Sequence, residues 1–181
     1  MALLFLPEGG SSLITYTVIK GDSLARIAAK NHSNAELIQA ANGLPGINLQ
    51  IGQQLVIPAL KISLELDRGA KTLQLLENGV FLKQYALLSA PPAPKKPETL
   101  NSKVLDKIAV SGTKRVAFGD KAYPQSERSI LLTQSPAIVS APAAAPDQTN
   151  APTLPGGYVL AAEDLREVFP LVSRNTPAVI H

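Results

Sequence analysis

The chain has 181 residues, a net charge of +3, 45% hydrophobic and 4% aromatic residues, and neither cysteine nor tryptophan. That length allows one or two packed domains, and the missing cysteine excludes disulfides and thiol catalysis. The basic residues are scattered, with Lys95-Lys96 and Lys114-Arg115 as isolated pairs, so the charge gives no stripe for nucleic acid.

The apolar start Met1-Ala2-Leu3-Leu4-Phe5-Leu6-Pro7 is too short to span a bilayer. It also lacks the basic leader and small-residue cleavage site of a signal peptide. His32 and His181 are the only histidines, which argues against a histidine metal site or catalytic triad; no metal or cofactor is expected.

Residues 14–58 read as two short strands bracketing two short helices. Tyr16 and Val18, then Leu55 and Ile57, alternate with neighbours of the opposite face, the period of a half-buried strand. Gly21-Asp22-Ser23 is a turn that becomes a cap, with Asp22 or Ser23 accepting from the free N–H groups of the next turn. Leu24, Ile27 and Ala28 then share one face at helical spacing. Ser33 or Asn34 caps a second helix, with Leu37, Ile38 and Ala41 facing inward, and Asn42-Gly43 ends it.

In order and spacing, Tyr16-Thr17-Val18, Lys20-Gly21-Asp22-Ser23-Leu24, Ile27-Ala28, Ile38, Asn42 and Ile51-Gly52-Gln53-Gln54-Leu55-Val56-Ile57-Pro58 resemble a LysM domain. The resemblance implies a βααβ module that binds peptidoglycan, chitin or another N-acetylglucosamine polymer in a shallow groove between two loops. Carried onto this chain, the glycan-binding residues are Gly21, Asp22, Ser23 and Leu24 on one loop and Leu44, Pro45, Gly46 and Ile47 on the other. Backbone groups of two turns suit an N-acetyl amide, and Leu44, Pro45 and Ile47 offer an apolar floor for its methyl. Turn and cap chemistry alone also accounts for Gly21, Asp22 and Gly43.

Pro58-Ala59-Leu60 is a minimal linker, so the two units are expected to touch. Ile62–Asp67 and Thr72–Glu77 alternate as strands, and Asn78-Gly79 turns the second into a third over residues 80–88. Residues 89–97 hold four prolines and form an extended loop. Strands are expected at 103–110, at 115–120 running into a turn, at 129–133 and at 137–139. Residues 140–155, rich in alanine and proline, read as a long loop. A helix over 161–169 has Leu165, Val168 and Phe169 inside, Glu163-Asp164 in its first turn and Pro170 as its stop. Residues 176–180 form a closing strand.

The stretch from Lys61 onward resembles an L,D-transpeptidase catalytic domain. The opening hairpin, Ile62-Ser63-Leu64-Glu65-Leu66-Asp67 with Lys71–Gly79, carries the match at one end. Residues 156–165, Glu167, Phe169-Pro170-Leu171-Val172 and Thr176-Pro177-Ala178-Val179-Ile180 carry it at the other. The middle has diverged. The family's catalytic pattern is a histidine-glycine pair followed by Ser-His-Gly-Cys-(Val/Ile)-Arg. Anchored on Glu163-Asp164, it places the nucleophilic cysteine at Gly157, the arginine at Val159, the second histidine at Pro155 and the upstream histidine near Ala141. All four positions lack the chemistry, and acyl transfer of this kind needs a thiolate and a base to form it.

The expected molecule is therefore α+β: a LysM module over 14–58 and a mostly-β, sandwich-like domain over 61–181 with one helix near its end. The expected function is glycan binding in the cell envelope, periplasmic or extracellular, with an export leader trimmed from this chain and no catalysis. The second domain could offer a protein or peptide partner its old cleft. The rival is a cell-wall L,D-transpeptidase or hydrolase with an unrecognised nucleophile, for which Ser135, Ser140 and Thr153 lie nearest the loop. A spore-coat or other structural role, with the module serving to target the protein, is a third alternative.

Overall fold

The computed structural model describes residues 12–96, 98–142 and 156–181. The expectations for the N-terminal apolar stretch, for Thr153 and Pro155, and for most of the 140–155 loop lie outside the described residues.

The N-terminal unit has the expected order: β1 (Ser12–Thr17), α1 (Leu24–Lys30), α2 (Ala35–Ala41) and β2 (Gln54–Ala59). β1 and β2 pair antiparallel, with Tyr16 opposite Leu55. Both open cap choices are resolved. Ser23 caps α1, its Oγ accepting from Arg26 N at 3.3 Å, and Asn34 caps α2, its Oδ1 accepting from Glu36 N at 2.9 Å. Ser33 turns away and donates its hydroxyl to Pro58 O. Val18, Leu24, Ile27, Ala28, Ile38, Leu55 and Ile57 form one buried cluster. Each large aliphatic among them contributes about 1.5–3 kcal/mol through burial. Leu37 is buried as expected, whereas Ala41 is only half-buried.

The described residues that follow build one nine-stranded sheet. Its strands are β3 (Ile62–Asp67), β4 (Thr72–Glu77), β5 (Val80–Ala86), β6 (Leu100–Ser111), β7 (Lys114–Arg115), β8 (Glu127–Leu132), β9 (Ser135–Ser140), β10 (Tyr158–Leu160) and β11 (Pro177–Ile180). The order is β10-β9-β8-β6-β11-β3-β4-β5, with β7 beside β6. β10 on β9 and β11 on β3 are the parallel pairs. The long strand β6 serves two partners in succession: Leu100–Lys103 pairs with β11 and Val104–Val110 with β8. Beyond β5 the chain reaches the far edge. Leu88 N donates to Val159 O at 2.8 Å, and Val159 N donates to Ser89 O at 2.8 Å. The expected sandwich is thus a single sheet curled almost into a barrel. This contact satisfies backbone groups of Val159 that would otherwise stand open on the edge strand β10. α3 (Ala162–Leu171) closes the core with Leu165, Val168 and Phe169.

Three local expectations are corrected. Extended pairing near 115–120 is limited to Lys114–Arg115, because Asp120 Oδ2 accepts from Ala117 N and folds the following residues into a turn. The third meander strand stops at Ala86 rather than 88, where the chain leaves for β10. Pro170 does not stop α3 but sits inside its last turn, one residue before the end. The one intrahelical bond that its missing N–H forfeits there is tolerated.

Candidate functional site

The first expected binding loop is held together by Asp22. Its Oδ2 accepts from Tyr16 OH at 2.8 Å and from Ile19 N at 3.0 Å, while Lys30 Nζ stands 3.7 Å from Oδ1. The side chain is only 4% exposed. The backbone bond from Ile19, then the tyrosine hydroxyl, hold its carboxyl below the ordinary carboxylate range. Its carboxylate therefore shapes the turn. Within the turn, Gly21 and Ser23 are exposed. Gly21 has φ +88°, and its carbonyl accepts from Arg26 Nη1 at 2.6 Å. Arg26 was not anticipated from the sequence, where its spacing marks only an exposed helix position.

The second loop joins the first through apolar packing: Leu24 is buried in the cluster against which Leu44 and Leu49 rest. Pro45 is exposed and Gly46 half-exposed. Ile47 is 47% exposed, and its covered part faces the sheet domain. A Cβ added at Gly119 would lie 3.0 Å from Ile47 Cδ1, and Phe118 packs against both hydrophobic clusters. Leu44 thus rests on the module's own core while Ile47 meets the second unit, a contact invisible in local sequence. Asn42 anchors the base of this loop. Its amide nitrogen donates to Ile38 O at 2.8 Å and Val56 O at 2.7 Å, while its Oδ1 accepts from Val56 N at 2.8 Å. The side chain acts as one rung of strand beside β2.

A buried ionic cluster locks the two units. Glu36 of α2 accepts from Lys107 Nζ of β6 at 3.2 Å, and its other oxygen lies 3.6 Å from Arg128 Nη1 of β8. Lys107 also donates to Val172 O at 3.0 Å. Arg128 lies over the rings of Tyr123 and Phe169. Burial pushes the Lys107 ammonium below its ordinary range and the Tyr123 hydroxyl above its own. Asn34 Nδ2 adds a bond to Val172 O at 3.3 Å.

In the sheet domain, the positions aligned with the transpeptidase motif lie along β9 and β10: Gly157 just before β10, Val159 within it and Ala141 just after β9, while Pro155 lies outside the described residues. Gly157 has φ +113°, and a Cβ there would sit 2.5 Å from Ala137 O. Val159 is fully buried and makes the edge closure described above. Ala141 N donates to Leu160 O at 2.7 Å. Of the hydroxyls considered, Ser135 Oγ lies 3.3 Å from Tyr158 OH, and Ser140 Oγ accepts from Arg128 N at 3.4 Å. His32 is exposed with φ +51°, and exposed His181 lies beside Thr99. On the other flank of α3, Glu167 binds Lys83 and accepts from Tyr85 OH at 3.2 Å.

The order of elements, the capped short helices and the paired loops define the class of the N-terminal unit as a small βααβ module. Residues 16–58 match the family model for the LysM domain. The chain thus carries a LysM domain, and that match indicates binding of peptidoglycan or other N-acetylglucosamine glycans.

Among solved structures, the chain is similar to an L,D-transpeptidase from Mycobacterium smegmatis at 13% identity, covering 96% of this chain and 92% of that chain with a TM-score of 0.44. It is similar to Mycobacterium tuberculosis L,D-transpeptidase 1 at 12% identity, covering 95% and 94%, with a TM-score of 0.42. It is also similar to L,D-transpeptidase 3 from Mycobacterium tuberculosis, in complex with a faropenem-derived adduct, at 13% identity, covering 95% and 91%, with a TM-score of 0.39. No curated protein matches the chain. Among the described residues, no helix is long and apolar enough to cross a membrane.

Proposed function

We propose that this protein binds peptidoglycan in the cell envelope through its LysM module and that its sheet domain is a non-catalytic relative of L,D-transpeptidases. The observation that carries the binding half is the LysM match over residues 16–58. The groove is the one between Gly21–Leu24 and Leu44–Ile47, with Asp22 as the internal brace of the first loop and exposed backbone as the ligand surface. A single shallow groove gives weak binding, because it buries little area against the cost of immobilising a polymer.

The absence of any thiol in the chain supports the non-catalytic half. So does the crowding at Gly157, where the backbone has no room for a side chain. The sheet domain then works as a rigid partner surface beside the groove, tied to it by Glu36, Lys107 and Arg128.

Sedimentation with purified sacculi tests the binding half. Wild-type protein pellets with the murein, and a variant with residues 44–47 replaced by a glycine-serine linker stays in solution. Wild-type protein left in the supernatant would refute it. Incubation with cell-wall tetrapeptides and mass spectrometry tests the other half, and a cross-linked product or released terminal alanine would overturn it.

A further inference from the structure

A cavity of about 120 Å³ lies beside the buried ionic cluster, at the start of α3. Ser126, Arg128, Ser140, Ala141, Ala162 and Arg166 contribute to its walls. Arg128 is 8% exposed, and among the described residues its Nε–H finds no acceptor. A buried donor left without a partner costs about 1–3 kcal/mol, more when charged. The cluster also holds two cations, Lys107 and Arg128, against the single carboxylate of Glu36. A buried excess of positive charge calls for an anion close by.

The surroundings supply further donors. Ala161, the cap residue of the ten-residue α3, gives no side-chain cap bond, so no cap side chain covers the first N–H groups of the helix, which favour a negative charge. Ser140 Oγ accepts from Arg128 N and keeps its own proton to donate. Ser126 differs, because its hydroxyl already donates to Tyr123 O. Exposed Glu127 is the acidic member of the lining and lies toward solvent. Asp164, in the first turn of α3, interacts with Lys83 and Glu167 on the other flank.

We propose that this cavity binds one carboxylate group, held by Arg128 Nε–H, Arg166, the Ser140 hydroxyl and the start of α3. Its volume admits a carboxylate with a methyl-sized remainder. A peptide chain end and a free small carboxylate share that chemistry. The site is independent of the glycan reading, so failure of sacculus binding would leave it untouched.

The test follows the arginine Nε–Hε resonances of the full chain by NMR during titration with sodium acetate, with sodium chloride as the control at equal ionic strength. The Arg128 signal is expected to shift saturably with acetate and not with chloride. Arg166→Gln and Ser140→Ala, each checked for an unchanged backbone spectrum, are each expected to weaken the response by about tenfold. N-acetylglycine provides the second arm. Binding at least as tight as acetate assigns a peptide end, and weaker binding assigns a free carboxylate. No saturable shift, an unchanged response in both variants, or a preference for inorganic phosphate over acetate would overturn the proposal.

Discussion

Glu36 Oε2 and Lys107 Nζ meet 3.2 Å apart across the boundary between the LysM module and the sheet. Their side chains are 11% and 15% exposed, so the pair is shielded from solvent and from screening by salt. Glu36 also faces Arg128, and removing it leaves two buried cations without their counter-charge.

Glu36→Ala is therefore expected to destabilise the protein by about 3–5 kcal/mol. Urea unfolding followed by circular dichroism measures it. Lys107→Met, which removes charge but keeps apolar bulk against Phe169, should cost less than Glu36→Ala. Equal losses would mean that packing, and not charge pairing, holds the units together.

Gly119 has φ +101° and meets Ile47 across the same boundary. Gly119→Ala should cost about 1–3 kcal/mol, because a side chain in that conformation is strained whatever its surroundings. Placing it on an Ile47→Ala background relieves the 3.0 Å contact but not the backbone strain, so only part of the loss returns. Thermal unfolding of the two single variants and the double variant separates the two contributions.

Asp22 links stability to pH. Its carboxyl is lowered from an ordinary value of 3.8 in the folded state, so the charged form is favoured by folding. The stabilisation is complete above the unfolded value, near pH 4, and fades as the pH falls through the lower folded value. Asp22→Asn should flatten the acid limb of the stability profile below about pH 4 and loosen retention on sacculi. An acid limb identical to wild type would exclude Asp22 as its source.

Gly157→Cys restores the residue that the transpeptidase motif would place there. It is expected to give no cross-linking activity and to lower stability by about 3 kcal/mol or more, because its Cβ would crowd the Ala137 carbonyl. Product analysis on tetrapeptides together with thermal unfolding decides this. A stable, active variant would show that the backbone at 157 retains room for the nucleophile.

Much of the N-terminal module was legible because its signals are local. Strand alternation at Tyr16 and Val18, the cap at Ser23, the apolar face of Leu24, Ile27 and Ala28, and the Asn42-Gly43 stop each act within one or two turns of chain. The Asn78-Gly79 hairpin and the inner face of α3 were legible for the same reason. The extent of β7 and the end of α3 were misread. A side chain three residues away, Asp120, redirects one, and a helix tolerates a proline in its last turn in the other.

By itself, the sequence determined most of the strands and helices, where the module lies and that no thiol chemistry is available, since these follow from residue type and short-range periodicity. Tertiary structure alone decided that Val159 closes the sheet edge against Ser89, that Ile47 backs onto Gly119 and that Glu36 finds Lys107 and Arg128. Those contacts join residues tens of positions apart, brought together by burial and strand order, and no local pattern of residue types encodes the partner.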